Sequence, residues 1–301
     1  METFLIYFIL GAVSGSGVLP DGPLNAAVGE TVMFNTTLTP TETSFLAVAW
    51  NFNNSMTIIT STNSGNITGP GYEGRIILFP STASLELRSL TLNDTGEYSV
   101  FIFQADGTVH AGRTTLVIYE KISGSSVKPS TNLPVEGTSV SLACETYSSV
   151  FTRNWMKDGS ELTPTDNMIL SDNNRVLTFN TVNRKDNGEY FCQISNPISS
   201  DGAKYIMIVN YGPENVQIKG PNKINIKGAL KLTCSAESTP SARFTWFLNG
   251  TEILTNSAEY VKEEVELSDS GNYICQAWNK ITERTSSSAV HRLSVTGICL
   301  C

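Results

Sequence analysis

The residues of this chain best suited to nucleophilic, redox or metal chemistry are six cysteines and two histidines. Their spacing decides what they can do. His110 and His291 lie far apart, without the neighbouring ligands a metal needs or an orienting partner for a nucleophile. Cys299 and Cys301 form a Cys-x-Cys pair at the chain end, too few ligands for zinc. They read as a truncated reading frame or an alternative end, or as thiols that pair between chains. Gly69-Pro70-Gly71-Tyr72-Glu73-Gly74 has the G-x-G-x-x-G spacing of a dinucleotide loop. It contains a proline and runs into the strand-like Arg75–Phe79, where that motif needs a helix. No catalytic constellation follows, and the expectation is a protein without enzyme activity, cofactor or metal.

The other four cysteines fall into a repeat. Asp186-Asn187-Gly188-Glu189-Tyr190-Phe191-Cys192 recurs as Asp269-Ser270-Gly271-Asn272-Tyr273-Ile274-Cys275 and as Asp94-Thr95-Gly96-Glu97-Tyr98-Ser99-Val100. Such a repeat reads as a turn followed by a strand. Gly is expected to supply the turn backbone, Asp to bond nearby amides, and Tyr with the residue two later to point into the core. Tyr two places before a core Cys is the tyrosine corner of an immunoglobulin sandwich, which also needs an upstream Cys and a buried Trp. The second copy has Cys144 and Trp155, and the third has Cys234 and Trp246. The first has Trp50, but Thr36 and Val100 stand at its cysteine positions. The expected fold is all-β, with three tandem sandwiches. Cys144–Cys192 and Cys234–Cys275 are the expected bridges, which implies an oxidising compartment.

These elements divide the chain. The apolar run Phe4–Val13, followed by small residues, reads as a signal peptide over 1–17, cleaved between Ser14 and Gly17. A variable-type sandwich follows over 18–120, then sandwiches over 126–210 and 212–296, and a short tail over 297–301. The interval from Trp50 to Tyr98 is longer than its two counterparts, which makes room for two extra strands. The Pro in Tyr211-Gly212-Pro213 is expected to stiffen the last joint. Lys262 falls where Phe179 sits in the second sandwich. Either the register shifts to bring Val261 inward, or that strand packs poorly. No run reaches the roughly 20 apolar residues of a membrane span.

Net charge is −8, which disfavours nucleic acid. Nine acidic residues against three Arg and no Lys leave the first sandwich at −6. Arg75 and Asp94 are expected to pair at its lower end. Asn35, Asn53, Asn66, Asn93 and Asn249 open N-glycosylation sequons. Counting from inward Tyr98 and Val100, Phe101 and Phe103 point outward. Ala47, Ala49 and Asn51 point outward on the preceding strand, and Val117 on the last. Two outward Phe at i and i+2 on a central strand, with small neighbours, read as a partner-binding patch. The alternative is that Phe103 folds under the loop Gln104–Gly107.

From Val18 to Val295 the chain resembles the carcinoembryonic-antigen-related cell adhesion molecules. Arg75-Ile-Ile-Leu-Phe-Pro, Ala83-Ser84-Leu85 and Asn93-Asp94-Thr95-Gly96 look like that family's cysteine-free first domain. Cys192-Gln-Ile-Ser-Asn-Pro-Ile-Ser199 with Tyr211-Gly212-Pro213, and Trp246-Phe-Leu-Asn-Gly-Thr251, look like its second and third. The resemblance implies an extracellular, secreted or cell-surface glycoprotein. It binds itself or relatives through the outer face of strands C, F and G of its first domain, and microbial adhesins are further partners in the family. A soluble decoy or immune receptor with a different protein ligand is the alternative. The sequence departs from the family in ending at Cys301 without a membrane span or lipid-anchor signal.

Overall fold

A computed structural model describes residues 17–40 and 45–297. The leader up to residue 16 and the cysteines at 299 and 301 lie outside them. The fold is all-β, three sandwiches in tandem. The chain falls into two compact units: residues through Ser125 with Thr146–Arg153 and Ile194–Asp201, and the remainder.

The first sandwich comprises β1 (Pro23–Ala27), β2 (Val32–Phe34), β3 (Ala47–Phe52), β4 (Met56–Thr62), β5 (Gly65–Thr68), β6 (Ile76–Phe79), β7 (Ser84–Leu87), β8 (Gly96–Phe103) and β9 (Val109–Tyr119). Six strands form one sheet, in order β1-β9-β8-β3-β4-β5, and β2-β7-β6 form the other. β4 and β5 are the two extra strands of a variable-type domain. Alternation along each strand buries Phe34, Trp50, Leu85, Leu87, Tyr98, Val100, Leu116 and Ile118 in one core.

The second sandwich comprises β10 (Ser126–Pro129), β11 (Val140–Glu145), β12 (Thr152–Lys157), β13 (Ser160–Glu161), β14 (Met168–Ser171), β15 (Val176–Phe179), β16 (Gly188–Asn196) and β17 (Ser199–Met207). Its sheets run β10-β11-β15-β14 and β13-β12-β16-β17. The third comprises β18 (Tyr211–Lys219), β19 (Lys223–Asn225), β20 (Leu230–Thr239), β21 (Arg243–Leu248), β22 (Thr251–Ile253), β23 (Glu259–Lys262), β24 (Gly271–Trp278), β25 (Thr285–Ser287) and β26 (His291–Thr296). Its sheets run β18-β20-β23 and β19-β26-β24-β21-β22. Cys144–Cys192 and Cys234–Cys275 are disulfide-bonded, each with Cα atoms 6.3 Å apart.

Each copy of the repeat builds the same corner. The Tyr98, Tyr190 and Tyr273 hydroxyls donate to the carbonyls of Asp94, Asp186 and Asp269, at 2.8, 2.8 and 3.0 Å. Burial pushes all three hydroxyls well above the ordinary tyrosine range. The three Asp carboxylates accept from the amides of Thr91, Asn183 and Glu266. Gly188 takes the positive φ expected of the turn, at 145°, but the glycine of the other two copies has a different task. Gly96 and Gly271 do not take positive φ. They leave room for an amide side chain from the neighbouring turn, since a Cβ on either would lie 2.6 Å from Asn53 Oδ1 or Asn249 Oδ1. Those oxygens accept the amides of Glu97 and Asn272 at 2.9 Å, and Asp158 does the same for Glu189.

Neither outcome expected for Lys262 occurs. Val261 is exposed, and Tyr260 enters the core between Trp246 and Tyr273, with ring centroids 6.1 and 5.8 Å away. Lys262 keeps the register of Phe179 but reaches Asp269 at 2.7 Å. It takes the place that Arg75 has against Asp94, at 2.6 Å, in the first sandwich. Its hydrogen bond to Asp269 raises its pKa.

The joint after the second sandwich is held by more than Pro213. Arg184 Nη2 donates to Glu136 at 3.0 Å and to Glu214 at 2.5 Å, and Nη1 lies 4.0 Å from Glu237. The guanidinium stacks on the Tyr211 ring at 3.8 Å. The hydrogen bonds to Glu214 and Glu136 lift its pKa further above the ordinary arginine value.

Candidate recognition face of the first sandwich

The outer face of the six-stranded sheet is built from the core outward. Tyr98, Val100 and Ile102 are fully buried, so alternation turns Phe101 and Phe103 to solvent, at 43% and 42% exposure. Register then sets their neighbours. Phe101 lies opposite Ala111 on β9 and Ala49 on β3, and Phe103 lies opposite Val109 and Ala47. Ala49 faces Thr60 on β4, which faces Ile67 on β5; Ala47 faces Thr62, which faces Gly65. Two cross-strand rows therefore span five strands: Ala111-Phe101-Ala49-Thr60-Ile67 and Val109-Phe103-Ala47-Thr62-Gly65. Neither row contains a charge. Ile67 is 73% exposed, and Val109 is also exposed.

The loop after β8 does not cover Phe103. It closes on itself, with Gln104 N donating to Thr108 O at 2.9 Å and Gly107 N to Gln104 O at 3.1 Å. Asp106 accepts the Thr108 amide, which lowers its pKa and keeps a negative charge on the loop beside the patch. On the other side, Ser99 lies opposite Arg113 and Asn51, and Arg113 Nη1 lies 3.8 Å from Glu97. Formal charge thus borders the rows and does not enter them.

Of the residues expected to bind a partner, Phe101, Phe103 and Ala49 come together, with Asn51 one row below. Val117 does not join them. It points outward but lies opposite Asn25 on β1, six residues along β9 from Ala111, about 20 Å at the usual strand rise. Ile67, Thr60 and Thr62 were not foreseen from sequence. A bulge between Trp50 and Asn51 inserts Ile58 into β4, so Ile58 and Ile59 are both buried and simple alternation fails there.

The sequon residues Asn35, Asn53, Asn66, Asn93 and Asn249 are all exposed. Asn66 alternates with outward Ile67 on β5, so its side chain leaves the opposite side of the strand. Asn53 and Asn249 sit at positive φ with their amide oxygens engaged as described above.

Tandem sandwiches, each with a tyrosine corner, define an immunoglobulin-type chain, and the first of them carries an exposed apolar face. Known proteins agree. The immunoglobulin domain family matches residues 121–196 and again 213–295. HEPACAM family member 2 of Mus musculus is 25% identical over 269 residues, covering 81% of this chain and 58% of that protein. The chain therefore spans little more than half the length of that curated relative. Among solved structures, murine CEACAM1b superposes with TM-score 0.54 at 24% identity, covering 62% of this chain and 95% of that one. The full three-domain ectodomain of mouse nectin-like molecule 4 superposes with TM-score 0.63 at 20% identity, covering 93% and 99%. The chain belongs to the immunoglobulin superfamily.

Proposed function

We propose that this chain is an extracellular adhesion glycoprotein that binds copies of itself, or close relatives, through the β9-β8-β3-β4-β5 face of its first sandwich. The observation that carries this reading is the pair of uncharged rows centred on Phe101 and Phe103. Aromatic anchors with small neighbours suit a packed interface core, and a charged rim suits its edge. The first sandwich is at −6, which opposes self-association, but the rows themselves carry none of that charge. Glycans at Asn35, Asn66 and Asn93 would leave this face bare. The protein acts outside the cell, secreted or at a surface, with no enzymatic role. Among the described residues no helix is long and apolar enough to cross a membrane.

A second reading, a decoy or immune receptor with a different protein ligand, is favoured by the acidity of the first sandwich, which suits a basic partner. Sedimentation and bead aggregation of the full chain, with Phe101→Ala and Phe103→Ala, separate the two. Loss of an anchor weakens association by about 2 kcal/mol or more, roughly 30-fold. If the unaltered chain and both variants are equally monomeric at high concentration and equally unable to aggregate beads, self-adhesion through this face is wrong and the second reading replaces it.

A further inference from the structure

The second sandwich leaves one sheet edge open where its neighbours close theirs. In the first, β1 runs parallel to β9 over five residue pairs; in the third, β19 covers β26 over three. In the second, the corresponding edge strand, β17, ends the order β13-β12-β16-β17, and among the described residues the cover beyond its end is the bridge Val135–Asn210, with Asn210 N donating to Pro134 O and Glu136 N to Asn210 O. The reason is that the preceding segment stays on the other sheet. β10 pairs with β11 as far as Pro129, and Ser130 N still donates to Ser141 O at 2.8 Å. The segment from Gly202 to Ile208 is left as an edge.

That edge is apolar on its outer side. Met207 and Val209 are fully buried, so Ile206 and Ile208 point outward, at 65% and 57% exposure. Open edges are ordinarily blunted by charge or covered. The one cation here, Lys204, is tied back to its own sheet by Glu189 at 2.9 Å. The second sandwich also contains none of the five sequons, so no N-glycan shields the edge.

We propose that this edge is a lateral self-association site, at which β17 of one copy pairs antiparallel with β17 of a second copy of the chain. Pairing a strand with itself requires a two-fold axis, so the assembly closes at a dimer. The axis stands perpendicular to the joined sheet, which keeps the Ile206 and Ile208 side chains of both copies on one face. Charge opposes a second copy far less at this position than at the first sandwich. Nine acidic and seven basic residues over 126–210 give −2, against −6 in the first sandwich, and Asp201 and Lys204 cancel within the strand. The contact is smaller than a standard interface of about 1,600 Å², so the dimer is weak.

The test uses the full chain with the recognition face disabled by Phe101→Ala and Phe103→Ala. Cys299→Ser and Cys301→Ser are added so that chain-end thiols cannot link copies. In sedimentation the mean mass should climb towards that of a dimer with concentration, while amide exchange over Lys204–Ile208 slows. Ile206→Asn with Ile208→Thr creates an Asn-Met-Thr sequon and places a glycan on the edge; Ile206→Asp with Ile208→Asp blocks it by charge alone. Either pair should abolish both signals without changing the unfolding temperature. A chain that is monomeric at every concentration, a dimer that survives both pairs, or a dimer whose β17 amides exchange no more slowly would each overturn the proposal. Because the recognition face is already silenced, none of these outcomes bears on it.

Discussion

The first and second sandwiches brace the same two sheets by different means. In the second, Cys144–Cys192 crosses the core beside Trp155, whose indole donates to Asn174 O at 2.8 Å. In the first, Trp50 makes the equivalent bond to Ala83 O at 3.0 Å, but nothing covalent crosses. Thr36, at the cysteine position, turns its hydroxyl to Thr82 O and accepts nothing from Val100; its own amide goes to Ser84 Oγ at 3.2 Å. Two places earlier the second sandwich has Leu142 and the first has Phe34. The Phe34 ring stacks on Tyr98 at 4.4 Å and lies tilted against Trp50 at 5.6 Å. An aromatic cluster stands where the others have a bridge. The lesson is that a sandwich of this kind can trade a bond that depends on oxidation for ring area that does not.

Three changes probe that difference. Phe34→Ala should be the most damaging, about 3–5 kcal/mol by cavity formation. Urea unfolding followed by hydrogen exchange should show β2, β7 and β8 opening early, with the second and third sandwiches unchanged. If the loss is no greater than for an exposed residue, the aromatic brace is not what replaces the disulfide. Next, Cys144→Ala with Cys192→Ala should cost the second sandwich about 2–5 kcal/mol and leave the first untouched. The same exchange experiment under a mild reductant should reproduce this, and any loosening of β2 to β9 would break the comparison. The smallest effect separates the two lower-end ion pairs. Arg75→Ala and Lys262→Ala should each cost about 0–1 kcal/mol. Arg75 should cost more, because its guanidinium also donates to Arg88 O and Ser89 O. Midpoint shifts in the opposite order would show that geometry around the carboxylate does not rank them.

What could be read from sequence was what depends on alternation along a single strand. The inward course of Tyr98, Val100, Trp50, Leu85 and Leu116, and the outward course of Phe101 and Phe103, follow from period two alone. What escaped was pairing between distant strands. Val117 has the right parity but the wrong height on β9, and only register shows that. The bulge at Ile58 hid Thr60 from any count along β4, and Ile67 is placed beside it only by the register of β5 on β4. The task of Gly96 and Gly271 lay in a turn more than twenty residues upstream, in Asn53 and Asn249. Lys262 looked like a hole in a core strand because the compensating Tyr260 and Asp269 lie on either side of it and meet only in three dimensions.

If the recognition face holds a partner, a pull along this chain passes through Tyr211-Gly212-Pro213. Arg184 sits beside that passage with one guanidinium among three carboxylates, Glu136 on one side and Glu214 and Glu237 on the other. Under tension the ionic contacts would yield before any strand does. Because the guanidinium carries five donors and three carboxylates stand around it, a partner lost on one side can be exchanged for another as the joint flexes. The joint would then absorb small displacements and recover without unfolding a domain, and salt in the medium, which screens such contacts, would set how readily it gives.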